Sequence, residues 1–213
     1  MIKTSNQYYL VALFVIFCAV FAWSAIRPHD VFTWFLEVAP TLIALPILFF
    51  TYKKFPLTPL LYGLILLHAI VLMVGGHYTY ALVPINEIPL FNWLRDTFDL
   101  SRNYYDRVGH FVQGFVPAMI AREILIRKQI VRSKGWLLFI VCCICLSISA
   151  VYEFIEWWVA VVSGMAAEAF LGTQGDVWDT QWDMFLALIG AVLAQILLTK
   201  LHDKQLVQLE RAR

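Results

Sequence analysis

Residues 136–158, WLLFIVCCICLSISAVYEFIEWW, decide what kind of chain this is. No charged residue interrupts the run before Glu153, and a helix of this length rises far enough to cross a hydrocarbon layer about 30 Å thick. The run closes on two carboxylates, Glu153 and Glu156, followed by Trp157 and Trp158. Ionisable groups at membrane depth are costly unless they pair, bind an ion or line a wet cavity.

Working outward, five further apolar stretches have the same character, at residues 8–26, 31–50, 57–74, 105–125 and 182–201. Lys3 ahead of the first stretch invites reading it as a signal peptide, but its apolar run is too long for one, so it is kept as a helix. Over the whole 213 residues, 61% are hydrophobic and only 15% charged, with mean hydropathy +0.73. That is too apolar for a soluble domain. A net charge of +1 without a concentrated basic face excludes a nucleic-acid binder. The expectation is an all-α chain: a polytopic bundle of six transmembrane helices forming a single integral membrane domain over residues 1–213.

Basic residues between spans are retained on the cytoplasmic side. Alternate connections hold Lys3, then Lys53 and Lys54, then Arg122, Arg127, Lys128, Arg132 and Lys134, then Lys200, Lys204, Arg211 and Arg213, twelve of the 16 basic residues. Both termini are therefore expected in the cytoplasm. Of the 15 carboxylates, all but Glu123, Asp203 and Glu210 fall at the opposite, outward end.

Between the third and fourth spans the chain is patterned. After Pro89, the residues Leu90, Phe91, Leu94 and Phe98 recur at helical spacing, with Arg95, Asp96, Asp99 and Arg102 on other faces. This predicts a short amphipathic helix lying on the outer leaflet, with Trp93 at headgroup level.

Combining span direction with these charges collects the outer acidic groups at one depth. Asp106 and His110, at i and i+4, share a face in the first turns of the fourth span. Glu153 and Glu156 share a face at the end of the fifth, and Asp176, Asp179 and Asp183 lead into the sixth. His77 ends the third span on the same side and His68 lies deeper. Glu37, two turns inside the second span, either points into the cavity or is a satisfied buried carboxylate.

Two chemistries fit this layer. Carboxylates and imidazole from several helices can bind a divalent metal, which lowers the pKa of bound water or clamps a phosphate. In that reading Asp106, His110, Asp179 and Asp183 are the ligands, Glu153 is the general base and Glu156 orients it. In the other reading the acids pair with Arg95, Arg102 and Arg107 or face water.

Smaller features read more simply. Glu123 is expected to pair with Arg127 at i+4. The turn from Gly172 to Gly175 either positions the next helix or forms a phosphate-holding nest. Trp157, Trp158, Trp178 and Trp182 fit an aromatic belt. Cys18, Cys142, Cys143 and Cys145 all sit within apolar spans, as packing residues.

Residues 105–111 (YDRVGHF), 152–158 (YEFIEWW) and 172–184 (GTQGDVWDTQWDM) resemble the YjdF-type family of bacterial inner-membrane proteins. The resemblance covers nearly the whole chain and implies a location, the function of that family not being established. More distantly, Asp106 with His110-Phe111, Glu153 with Glu156, and Asp183 with Ala187, Gly190 and Ala191 are similar to the VanZ-like membrane proteins. Those have glutamine where Glu156 stands and asparagine where Ala187 stands, and are associated with glycopeptide resistance and the cell envelope. The likeness implies a shared polar site at the outer leaflet.

Three functions remain open from sequence. One is binding or hydrolysis of an envelope lipid or amphiphile. A second is proton- or cation-coupled transport, which needs polar groups continuing from Glu37 and His68 toward Glu123 and lacks the expected inverted repeat. The third is a structural role in the bilayer.

Overall fold

The computed structural model describes residues 4–85, 92–93, 96–97, 102–163 and 173–211. Six α-helices account for most of them: α1 (Thr4–Ala25), α2 (Val31–Thr51), α3 (Pro59–Tyr78), α4 (Tyr105–Arg127), α5 (Lys134–Ser163) and α6 (Asp179–Arg211). No strand occurs among the described residues. Most of the interfacial helix expected after Pro89 falls outside them.

Five helices, α1, α2, α3, α5 and α6, are long and apolar enough to cross a membrane. The fourth is long enough but carries Asp106, Arg107, Arg122, Glu123 and Arg127. All but the last are buried, because α4 is packed against α3, α5 and α6. A helix walled by protein need not be apolar. α5 and α6 outrun the expected spans, α6 reaching Arg211 and so projecting several turns past an apolar layer about 30 Å deep.

Small residues bring α4 and α6 together. A methyl group added at Gly114 would overlap the Ala187 backbone, and one at Gly190 the Phe111 carbonyl. Apolar helices in a bilayer gain little from hydrophobic burial, so such close approach supplies packing instead. The Asp183…Ala187…Gly190-Ala191 pattern thus has a mechanical reading: it seats α6 on α4 and delivers Asp183 beside Arg107.

α3 links this group to α1 and α2, both of which pack on it. Its end turns through Thr79 and Tyr80, both with positive φ (55° and 50°). The buried Tyr80 ring is held between Gly75 of α3 and Gly109 of α4, where any side chain would collide with it. α2 starts on an Asp30 cap, whose Oδ1 accepts from the Thr33 N–H at 2.6 Å.

Between the two ends of α4 lies a dry layer including Leu61, Ala118, Met119, Val141, Cys145, Ala191 and Ala194, with the buried Gln195 donating to the Ala191 carbonyl within it. Cys142 and Cys145 are buried packing residues and all four cysteines are free thiols. Polar networks lie on both sides of this layer.

Candidate functional site

The first network is centred on His110. Asp106 and His110 lie one turn apart on the buried face of α4, as their spacing predicts, and both are buried. α6 contributes Asp183, and α5 contributes Glu153 and Glu156, all buried. Candidate ligand atoms of Asp106, His110 and Asp183 lie within 4.8 Å of one another, and so do those of His110, Glu153 and Glu156. The structure therefore gathers four of the predicted carboxylates around the His110 imidazole.

The imidazole is oriented by a residue that the sequence reading overlooked. Nδ1 of His110 lies 3.0 Å from Oε1 of Gln113, an acceptor, so the proton belongs on Nδ1. Nε2 then faces Oδ1 of Asp106 at 3.5 Å and Oδ2 of Asp183 at 3.8 Å. A lone pair aimed at two carboxylate oxygens is repulsive unless a proton or a cation stands between them. Asp106 Oδ2 is faced by Arg102 at 3.6 Å and Arg107 at 3.9 Å, whereas Glu153 Oε1, 3.9 Å from Nδ1, is buried without a hydrogen-bond partner among the described residues. Buried acceptors left unpartnered are uncommon and call for an explanation.

Glu37 reaches the rim of this cluster from α2. Tyr152 of α5 donates to its Oε2 at 3.3 Å, and the Tyr152 ring meets the His110 imidazole edge-on, with centroids 6.4 Å apart. Gly76 of α3 lets Glu37 approach, since a methyl group there would come within 3.1 Å of the Glu37 Cβ.

Arginines occupy the outer edge of the layer. Arg107 contacts Asp183 through a short charge-assisted hydrogen bond, Asp179 Oδ1 at 2.7 Å and Asp176 Oδ2 at 3.0 Å. Arg102 also holds Asp179 Oδ1 at 2.7 Å and lies 3.6 Å from Asp106 Oδ2. Asp179 and Asp176 are thereby placed with the two arginines, the pairing that sequence offered as the simpler alternative.

The Trp178 backbone N–H, donating to Oδ1 of Asp176, holds that carboxyl below the usual carboxylate range. Gln174, at a positive φ of 49°, exchanges two hydrogen bonds with the Asn103 backbone, at 2.9 and 3.0 Å. This turn docks the start of α6 on the start of α4. Gly172 lies outside the described residues.

The other histidines stand apart from His110. His77 Nδ1 donates to the Ser24 carbonyl at 3.0 Å and its ring lies 4.5 Å from that of Trp23, on the α1 side of α3. His68, half-buried on α3, makes no hydrogen bond among the described residues.

Beyond the dry layer sits the second network, which is closely partnered. Glu123 and His202 are fully buried. Arg122 Nη1 donates to His202 Nδ1 at 2.6 Å, leaving Nε2–H to donate to Glu123 Oε2 at 3.0 Å. Glu123 also accepts from Thr58 Oγ1 at 2.8 Å and pairs with Arg127 at 2.5 Å, the i+4 contact expected from sequence. Arg122 bridges on to Asp203 at 2.7 Å. His202 and Thr58 escaped sequence reading because no local spacing links them to Glu123.

Residues 9–204 match the model of a family described as predicted membrane protein (DUF2238). Over 187 residues the chain is 53% identical to the inner membrane protein YjdF of Escherichia coli (strain K12), covering 88% of this chain and 87% of that one. No solved structure matches the chain.

Proposed function

The chain belongs to the DUF2238 family of predicted membrane proteins, and from that premise we propose that it is an inner-membrane protein that binds a divalent cation at its outward end. All six helices cross the bilayer in this reading, α4 included, and both termini face the cytoplasm. Asp106, His110 and Asp183 are the ligands. The carrying observation is that His110 Nε2 is set between two carboxylate oxygens, with Gln113 engaging the opposite nitrogen. A histidine ligand oriented through its second nitrogen is the usual arrangement at metal sites.

The cation in turn engages the polar head of an envelope lipid or amphiphile. If the bound molecule is hydrolysed, Glu153 is placed to act as base toward a metal-bound water, with Glu156 orienting it. Asp179, held by Arg102 and Arg107, serves to position α6 rather than to ligate.

Coupled transport is the less favoured reading. Between His110 and Arg122 the buried residues of α4 are Val112, Gly114, Val116, Ala118 and Met119, none of which can relay a proton or a cation.

Elemental analysis of protein purified without chelator tests the proposal. The expected result is close to one divalent ion per chain, lost in His110→Ala. Unchanged metal in His110→Ala removes His110 as a ligand, and no metal in the parent protein after incubation with Mn²⁺ or Zn²⁺ removes the cation site.

A further inference from the structure

A separate cavity lies at the basic end, where α4 closes and α5 begins. Arg122, Arg132 and Lys134 line a cavity of about 390 Å³ whose other walls include Ile126, Val131 and Leu137. Arg122 forms a fixed floor, tied down by His202 and Asp203. Arg132 and Lys134 are exposed, with no hydrogen bond or ion pair among the described residues. Asp203 is the cavity's one acidic lining residue and is already engaged by Arg122, so two cations stay uncompensated. Lys134 also opens α5, whose first-turn N–H groups add partial positive charge there.

Next to this cavity along the chain is an open recess of about 440 Å³, lined by Ser133, Gly135, Trp136 and Phe139. Trp136 and Phe139 are 62% and 56% exposed, and their rings meet edge-on at 5.8 Å. Lys134 and Leu137 line the cavity on one side of the first α5 turns and Trp136 and Phe139 line the recess on the other, so cations and aromatic surface meet at one helix end, which suits a ligand that joins an anion to hydrocarbon. If α5 crosses the bilayer as proposed, the two features lie where it enters, at the level of lipid headgroups.

We propose that this end of the protein binds an anionic phospholipid of the adjoining leaflet, with its phosphate between Arg132 and Lys134 and an acyl chain along Trp136 and Phe139. The site is independent of the cation cluster, from which the dry layer separates it.

Native mass spectrometry in mild detergent tests this, using equal amounts of phosphatidylglycerol and phosphatidylcholine. The parent protein should retain phosphatidylglycerol with roughly tenfold preference, as expected for two unpaired cations near a bilayer surface. Arg132→Gln with Lys134→Gln should abolish the preference while leaving the melting temperature in phosphatidylcholine unchanged. Trp136→Ala should weaken retention of the intact lipid. Glycerol phosphate, which carries the anion without the hydrocarbon, should compete poorly. No preference in the parent protein, an undiminished preference in the double variant, or glycerol phosphate competing as well as the lipid would each overturn the proposal.

Discussion

Nε2 of His110 on α4 and Oδ2 of Asp183 on α6 stand 3.8 Å apart. That is too far for a hydrogen bond and within the about 3 to 4 Å expected between two donors sharing one small cation. Asp183→Asn should therefore lower divalent-cation affinity about tenfold or more. Asp179→Asn, altering a carboxylate already taken up by Arg102 and Arg107, should change it much less. Calorimetric titration of both variants with Mn²⁺ makes the comparison, and equal losses would undo the ligand assignment.

The two polar networks should answer mutation in opposite ways. Glu123→Ala leaves His202 buried without its acceptor and Arg127 with only the Pro56 carbonyl, at a cost of about 3 kcal/mol or more. Glu156→Gln removes one charge from a crowded set of carboxylates and should hold or raise the melting temperature of the metal-free protein. Thermal unfolding in detergent reads both.

At the α4–α6 seam, Gly114→Val forces a side chain into the Ala187 backbone. A loss of about 1–3 kcal/mol is expected, together with weakened cation binding as Asp183 is displaced. Gly135→Ala, with open space around its Cβ position, should stay within about 0.5 kcal/mol of the parent. A Gly114→Val protein of normal stability would mean that the two helices do not approach this closely.

Asp30→Ala should cost about 1 kcal/mol through loss of the α2 cap. The Thr33 backbone N–H holds the Asp30 carboxyl below its ordinary value. With a depressed folded-state pKa, its contribution is fully present above the ordinary carboxylate pKa and disappears as pH falls through the folded value. The stability difference between Asp30→Ala and the parent should accordingly shrink in acid. A gap that is constant from neutral pH down to below the carboxylate range would contradict the capping role.

Orientation can be read with reporter fusions. Alkaline phosphatase joined at Gln174 should be active, and at Gln129 inactive, if the acidic end faces outward. The reverse pattern would move the His110 cluster to the cytoplasmic side.

Periodicity and charge carry much of this architecture. Asp106 with His110, and Glu123 with Arg127, could be paired from spacing alone, because residues four apart on a helix share a face whatever surrounds them. Asp179 shows where such reading stops: its depth is evident, yet only the rotation and docking of α6 decide that it meets Arg102 and Arg107 while Asp183 lies between Arg107 and His110. The α4 helix shows a related limit. Its charges reduce its apolarity below that of its neighbours, and only burial against α3, α5 and α6 explains how the fold accommodates them.

By itself the sequence determined an all-helical membrane chain, the approximate ends of its helices and the separation of acidic from basic ends. These follow from local quantities: rise per residue, side-chain hydropathy and charge between spans. Tertiary structure decided that Gln113 orients His110, that His202 and Thr58 close around Glu123, and that His77 turns toward Ser24. Those pairings depend on how each helix is rotated about its axis. In a bilayer that rotation is set by close packing at residues such as Gly114 and Gly190, and hydrophobic pattern alone does not specify it.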